Sequence, residues 1–119
     1  MIIYIQPVAK PRMTRSDKWK KRKVVLKYWN FKDHLKAQAQ KENFILSSDI
    51  SIYFEIKTPK SWSKKKTNKM LFQAHQQKPD IDNLVKAVLD SLADDDSYIS
   101  ALKVHKIWSD EGKITIINN

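Results

Sequence analysis

The amino-acid sequence predicts a single α+β domain, a small mixed sheet with helices packed against it. Three observations predict this. Residues 50–57 alternate apolar and polar side chains, as a strand does, while residues 25–41 and 82–92 repeat apolar side chains at spacings of three and four, as helices do. The elements also follow the order β-α-β-(α)-α-β-β, which packs helices on a sheet rather than building a bundle or a sandwich. The 119 residues contain no internal repeat and no linker, so one domain is expected over 1–119.

Each element has its own warrant. Ile2 to Ile5 is a short β-branched run stopped by Pro7, and reads as a first strand. Lys10 to Lys23 holds eight basic residues against Asp17, with Pro11 interrupting it, and reads as a basic arm. In the helix over 25–41, Tyr28, Phe31, Leu35 and Ala39 define one face, and Asn43 is a stop signal. Ile50, Ile52, Phe54 and Ile56 face one way along the next strand, with Ser51, Tyr53, Glu55 and Lys57 on the other side, so it should be covered on one face. Pro59 ends it. Residues 61–73 can hold a short helix capped by Ser61 or Ser63 and anchored by Met70 and Leu71. Leu84, Val85, Val88, Leu89 and Leu92 form the expected buried stripe of the helix over 82–92, with Asp82, Lys86 and Asp90 opposite. Tyr98 to Trp108 and Lys113 to Ile117 read as strands, with Glu111-Gly112 as a tight connection between them.

Charge points to a polyanionic partner. The chain carries 23 Lys and Arg against 13 Asp and Glu, a formal net charge of +10. Such a field attracts nucleic acid and speeds encounter with it. A Lys-rich surface without that partner is the bland alternative. There is no Cys, which excludes a disulfide scaffold, a thiolate metal site and a cysteine nucleophile. No apolar run approaches membrane-spanning length, and the polar start does not read as a signal peptide, so a soluble intracellular protein is expected.

Inside this basic chain, six of the 13 acids fall between Asp80 and Asp96, directly after a stretch, 56–79, with seven Lys and no acid. Crowded carboxylates repel one another unless a cation or polar contacts compensate. A hard cation such as Mg²⁺ typically takes one or two carboxylates plus water and phosphate oxygens. Asp80 and Asp82 stand at a helix entrance, and Asp94 to Asp96 begin an element that can fold back beside it. The alternative is structural: Asp caps helix N-termini, and Asp runs form solvated turns. Lys86, four residues beyond Asp82, is either a surface ion-pair partner or a cation for a phosphate. The residues alone leave both readings open. His34, His75 and His105 are candidate general bases, each more simply read as structural or exposed. Trp108 reads as core, whereas Trp19 and Trp62 lie in basic stretches where an indole can stack on an unpaired base.

The run Pro79-Asp80-Ile81-Asp82-Asn83-Leu84-Val85-Lys86, continued by Asp90 and Leu92 and then by Asp95-Asp96-Ser97, resembles the signature of the RusA family. That pattern is P-D-x-D-N-L-x-K-x-x-x-D-x-L followed by D-D-[SA]-Q-[VI]. The family comprises Holliday junction resolvases of bacteria and their phages. The resemblance implies a RusA-like fold and a crossover junction endodeoxyribonuclease that nicks two strands symmetrically as a homodimer bound to a four-way or branched DNA. It implies Mg²⁺, or Mn²⁺, held by Asp80, Asp82 and Asp96 with Asp95 beside them, and catalytic roles for Asp80, Asp82, Asp96 and Lys86. Asn83 falls on the motif's Asn, which would orient a carboxylate or a metal-bound water. Phosphate contacts are expected from Lys10, Arg12, Arg15, Lys64, Lys65, Lys66, Lys69, Lys103 and Lys106, in a cytoplasmic protein. Two departures stand out. Leu92 is followed almost at once by Asp94, so the loop before the Asp pair is short, and Tyr98 replaces the usual Gln. Asp95-Asp96 is preferred over Asp94-Asp95 because Ser97 and Ile99 then keep register. The competing classes are a non-catalytic phage DNA-binding module and a metal-dependent phosphohydrolase.

Overall fold

The computed structural model describes residues 1–15 and 22–119. Trp19 and the basic residues at 18, 20 and 21 lie outside the described residues. Strand β1 is Ile2–Ile3, helix α1 Lys23–Glu42, strand β2 Asp49–Lys57, helix α2 Lys64–Met70, helix α3 Ile81–Leu92, strand β3 Ala101–Ser109 and strand β4 Lys113–Asn118. The predicted order and α+β class hold. The sheet runs β1-β4-β2-β3, antiparallel except for the parallel pair β2–β3. Parallel neighbours need a long crossover, and residues 58–100 supply it with α2 and α3.

The core lies between one sheet face and the helices. Ile50, Ile52, Phe54 and Ile56 of β2 and Ile114 and Ile116 of β4 meet Tyr28, Phe31 and Leu35 of α1 and Leu84, Ala87 and Val88 of α3. The two periodicities select these residues, period two in the strands and 3.6 in the helices. Asn43 ends α1 in the left-handed conformation, φ 53°, which Asn tolerates better than most residues.

Four details differ from the sequence-based expectation. The first strand stops at Ile3, because the backbone bends back with Ile5 N–H donating to the Ile3 carbonyl. The buried face of α3 is Leu84, Ala87, Val88 and Ser91, while Val85, Leu89 and Leu92 are only partly buried. Small side chains at 87 and 91 occupy the packed face, and the Ser91 hydroxyl is satisfied by the Ala87 carbonyl at 2.6 Å. Strand β3 begins at Ala101 rather than Tyr98, since 96–99 form a turn and Ser100 N–H donates to the Ser48 carbonyl. Finally, β3 and β4 do not pair. Their short connection crosses the end of β2, which separates them by two strand spacings, roughly 10 Å. Gly112, the only glycine, sits in that connection, and any Cβ there would fall on the backbone of Gln6.

Candidate functional site

Helix α3 organises the acidic residues. Asp80 is its N-cap residue, with φ −69° and ψ 142°, yet its side chain makes no capping hydrogen bond. The carboxylate is half exposed, and its nearest cation is the exposed Lys78 at 3.9 Å. Asp82 lies in the first turn and is exposed, where the helix dipole favours a negative charge. Among the described residues Asp82 forms no ion pair, with Lys86 or any other residue. So neither carboxylate is engaged in the cap or the surface pair that offered the structural alternative. Both are hard oxygen donors facing solvent, a donor chemistry that fits a divalent cation with water and phosphate completing the shell.

The segment entering the helix is held from β3. Lys78-Pro79 is a cis peptide. The Lys106 ammonium donates to the carbonyls of Gln77 at 2.6 Å and Pro79 at 2.7 Å. Burial lowers the Lys106 pKa, with the Asp80 charge acting in the opposite sense. His75 N–H donates to the Lys106 carbonyl, and Trp108 N–H to that of Gln73.

The later acids sit elsewhere. From Asp82 to the C-cap Ala93 the helix axis advances about 16 Å at 1.5 Å per residue. Asp94, Asp95 and Asp96 follow at that far end, beside the turn whose Tyr98 hydroxyl donates to the Leu46 carbonyl. Asp95 Oδ1 accepts from Ser97 N–H at 2.9 Å, and these bonds to Ser97 hold its carboxyl below the usual range. The Asp96 carbonyl accepts from Ile99 N–H, and its carboxylate has no partner among the described residues. The chain does not fold back to the helix entrance, and no three Asp, Glu, His or Cys side chains among the described residues converge on a point where a metal would sit. The reason is mechanical: a straight 12-residue helix separates what the expectation brought together, and the short loop after Leu92 gives no length to return.

The basic residues divide. Lys64, Lys65, Lys66 and Lys69 are exposed on α2, started by Ser63, whose hydroxyl accepts from Lys66 N–H. Arg12 and Arg15 are exposed. Lys103 and Lys106 point to opposite sheet faces by strand alternation, Lys103 into solvent and Lys106 into the loop before Asp80. Lys10 is not a free cation. Its ammonium contacts Asp90 at 2.5 Å, and Asp90 also accepts from the Tyr28 hydroxyl at 3.2 Å. Burial would raise the Asp90 pKa, but the Lys10 and Tyr28 contacts outweigh it and lower it. The Tyr28 hydroxyl is in turn pushed well up by burial and by Asp90. Lys10 N–H also donates to the Asn83 carbonyl, tying the arm to α3.

The aromatic candidates also sort. Trp62 packs against Trp108 at 4.6 Å, with the Lys66 ammonium 4.4 Å from its ring centroid, so one indole face is covered by the protein. His75 is buried against Trp108, with Nδ1 unpartnered among the described residues, and burial, then Lys106, lowers its pKa. His34 is exposed on α1. His105 is exposed on the outer sheet face, stacked on Tyr53. The roles of Lys106 and Lys10 had no sequence signal beyond their charge, because their partners lie 27 or more residues away.

A basic α+β domain with two exposed carboxylates at a helix entrance and a lysine-rich helix nearby in sequence is a domain equipped to act on a polyanion. Comparison with protein families places it within that class. The family described as Endodeoxyribonuclease RusA matches residues 4–117, nearly the whole chain, and the protein belongs to the RusA family of endodeoxyribonucleases. No curated protein and no solved structure matches the chain. Among the described residues no helix is long and apolar enough to cross a membrane.

Proposed function

We propose that the protein is a metal-dependent, structure-selective endodeoxyribonuclease that resolves Holliday junctions by paired symmetric nicks, working as a homodimer in the cytoplasm of a bacterial host. The carrying observation is the pair Asp80 and Asp82 at the entrance of α3 in a chain of this family: Asp80 makes no capping bond and only a 3.9 Å contact with the exposed Lys78, and Asp82 forms no ion pair among the described residues. These two carboxylates would hold Mg²⁺ or Mn²⁺. When bound, such a cation stabilises charge on a phosphate and makes a water a better nucleophile at neutral pH. Lys86, one helical turn beyond Asp82, offsets negative charge on the non-bridging oxygens. Lys64, Lys65, Lys66 and Lys69 of α2, with Arg12, Arg15 and Lys103, neutralise backbone phosphates, which gives affinity with little sequence information.

The length of α3 bears on the dimer. Asp95 and Asp96 are too far along it to join Asp80 and Asp82 of their own chain. In a two-fold pair matched to a two-fold junction, one copy's Asp95 and Asp96 serve the other copy's Asp80 and Asp82. Mixing tests this. Asp82→Asn and Asp96→Asn should each abolish nicking of a synthetic four-way junction in Mg²⁺, and mixing the two variants should restore single nicks, though not paired resolution, because one of the two sites in each mixed dimer is then intact. A mixture as inactive as its parts overturns this sharing of Asp82 and Asp96 between the two copies. Intact junction binding with no cleavage under any divalent metal would return the protein to the non-catalytic module. Inhibition by mononucleotides as strong as that by junction DNA would favour the phosphohydrolase.

A further inference from the structure

We propose that Lys106 is a positioning residue for Asp80, not a DNA contact, and acts by clamping the carbonyls of Gln77 and Pro79. The proposal rests on the metal-dependent reading above. Strand alternation turns the Lys106 side chain to the helix side of the sheet, where it is half buried, while Lys103 faces solvent on the other side. Two short charge-assisted hydrogen bonds engage its ammonium. Both acceptors belong to the residues just before Asp80, and Pro79 is its immediate neighbour.

The clamp is the last of several fixings of this segment to β3. Phe72 N–H donates to the Trp108 carbonyl, Trp108 N–H to the Gln73 carbonyl, and His75 N–H to the Lys106 carbonyl. Beyond residue 75 the backbone leaves the strand, and the Lys106 side chain follows it out to Pro79. Asp80 then enters α3 in an extended conformation with its carboxylate away from the capping position. Without the clamp, nothing among the described residues replaces the donors to the two carbonyls, and the Asp80 side chain is free to rotate onto the vacant helix N–H groups. Lys106 thus works on the donor set through the backbone, as outer-shell groups orient ligands in metal sites.

The test compares Lys106→Met, Lys106→Arg and Lys103→Met with the unmodified full chain. Free Mn²⁺ is counted by electron paramagnetic resonance during protein titration, and junction affinity is measured in EDTA across a salt series. Removing an outer-shell partner typically weakens metal binding by about 10–100-fold. Lys106→Met should therefore lose roughly tenfold or more in Mn²⁺ affinity, while junction affinity and its salt slope in EDTA stay unchanged. Lys106→Arg keeps donors for both carbonyls and should recover most of the Mn²⁺ affinity. Lys103→Met should lower the salt slope by about one and leave Mn²⁺ binding alone. A Lys106→Met protein with normal Mn²⁺ affinity and a reduced salt slope is a lost phosphate contact, and overturns the proposal. Equal Mn²⁺ loss in the Met and Arg variants with a matching fall in thermal midpoint is a folding defect, and also overturns it. An unmodified protein that binds Mn²⁺ but cuts no junction overturns the nuclease reading and leaves the clamp measurable. One that binds no Mn²⁺ overturns both.

Discussion

At the entrance of α3, Asp80 holds the cap position with its carboxylate making no capping bond. About 16 Å along the helix, Asp95 has its carboxylate turned back on Ser97 N–H. Between them Asp90 is paired with Lys10 and hydrogen-bonded by Tyr28. The contrast separates acids that build the fold from acids that the fold leaves available. A side-chain cap is worth about 1 kcal/mol, so an Asp at the cap position that does not cap forgoes stability that most helices take. The far end carries a different penalty, because three consecutive carboxylates follow the negative end of the dipole and repel one another. Both ends are therefore less stable than they need be.

The largest test of the contrast is catalytic. Asp82→Asn should lower junction cleavage by about a thousandfold or more, the scale expected when a group acting directly on transition-state charge is removed, while the unfolding free energy stays within about 0.5 kcal/mol of the parent. A variant that unfolds easily and cuts normally would place Asp82 with the structural acids. Asp90→Asn should do the reverse: cleavage stays near normal, and urea unfolding at pH 7 shows a loss of about 1 kcal/mol after allowance for solvent screening of a partly exposed pair. Its pH dependence follows from the lowered Asp90 pKa. A carboxyl lower in the folded than in the unfolded state stabilises above its ordinary value of 3.8, and that contribution disappears as pH falls through the folded-state value. The gap between parent and Asp90→Asn should close on acidification, and a gap that persists at low pH breaks the account. The smallest effect is at the far end. Asp94→Asn removes one charge from the negative end of the helix and should raise stability by about 0.3–0.5 kcal/mol in low salt, the gain fading as salt is added.

Much of this was legible in the residues. Tyr28, Phe31, Leu35 and Ala39 are all buried, because their spacing admits only one face of a helix, and β2 buries the alternate residues its pattern names. The start of β3 was not legible, since it depends on Ser48 lying beside Ser100, 52 residues apart. The buried face of α3 is rotated from the apolar stripe because the packed side carries Ala87 and Ser91, which a hydropathy pattern passes over. The acids at the helix entrance were visible as a motif, but their freedom from capping was not, because it depends on side-chain direction. The separation of Asp82 from Asp96 was legible and went against the expectation: 11 helical residues cannot bend back on themselves. Lys106 read as one more cation, because a charge in a strand does not announce a carbonyl partner 27 residues earlier.

Helix α3 is also a ruler with a phase. Inserting one residue in its middle lengthens it by about 1.5 Å and turns one end against the other by roughly 100°. Either the Leu84 side leaves the core or the Ser91 side does. Removing a full turn keeps the faces nearly aligned and shortens the span by about 5.4 Å, a change the core tolerates better than one that reorients a face. Its 12 residues thus carry two separable quantities, a rotation that the core demands and a length that the core does not. A chain changed in length alone would fold while holding its two acidic ends at the wrong distance.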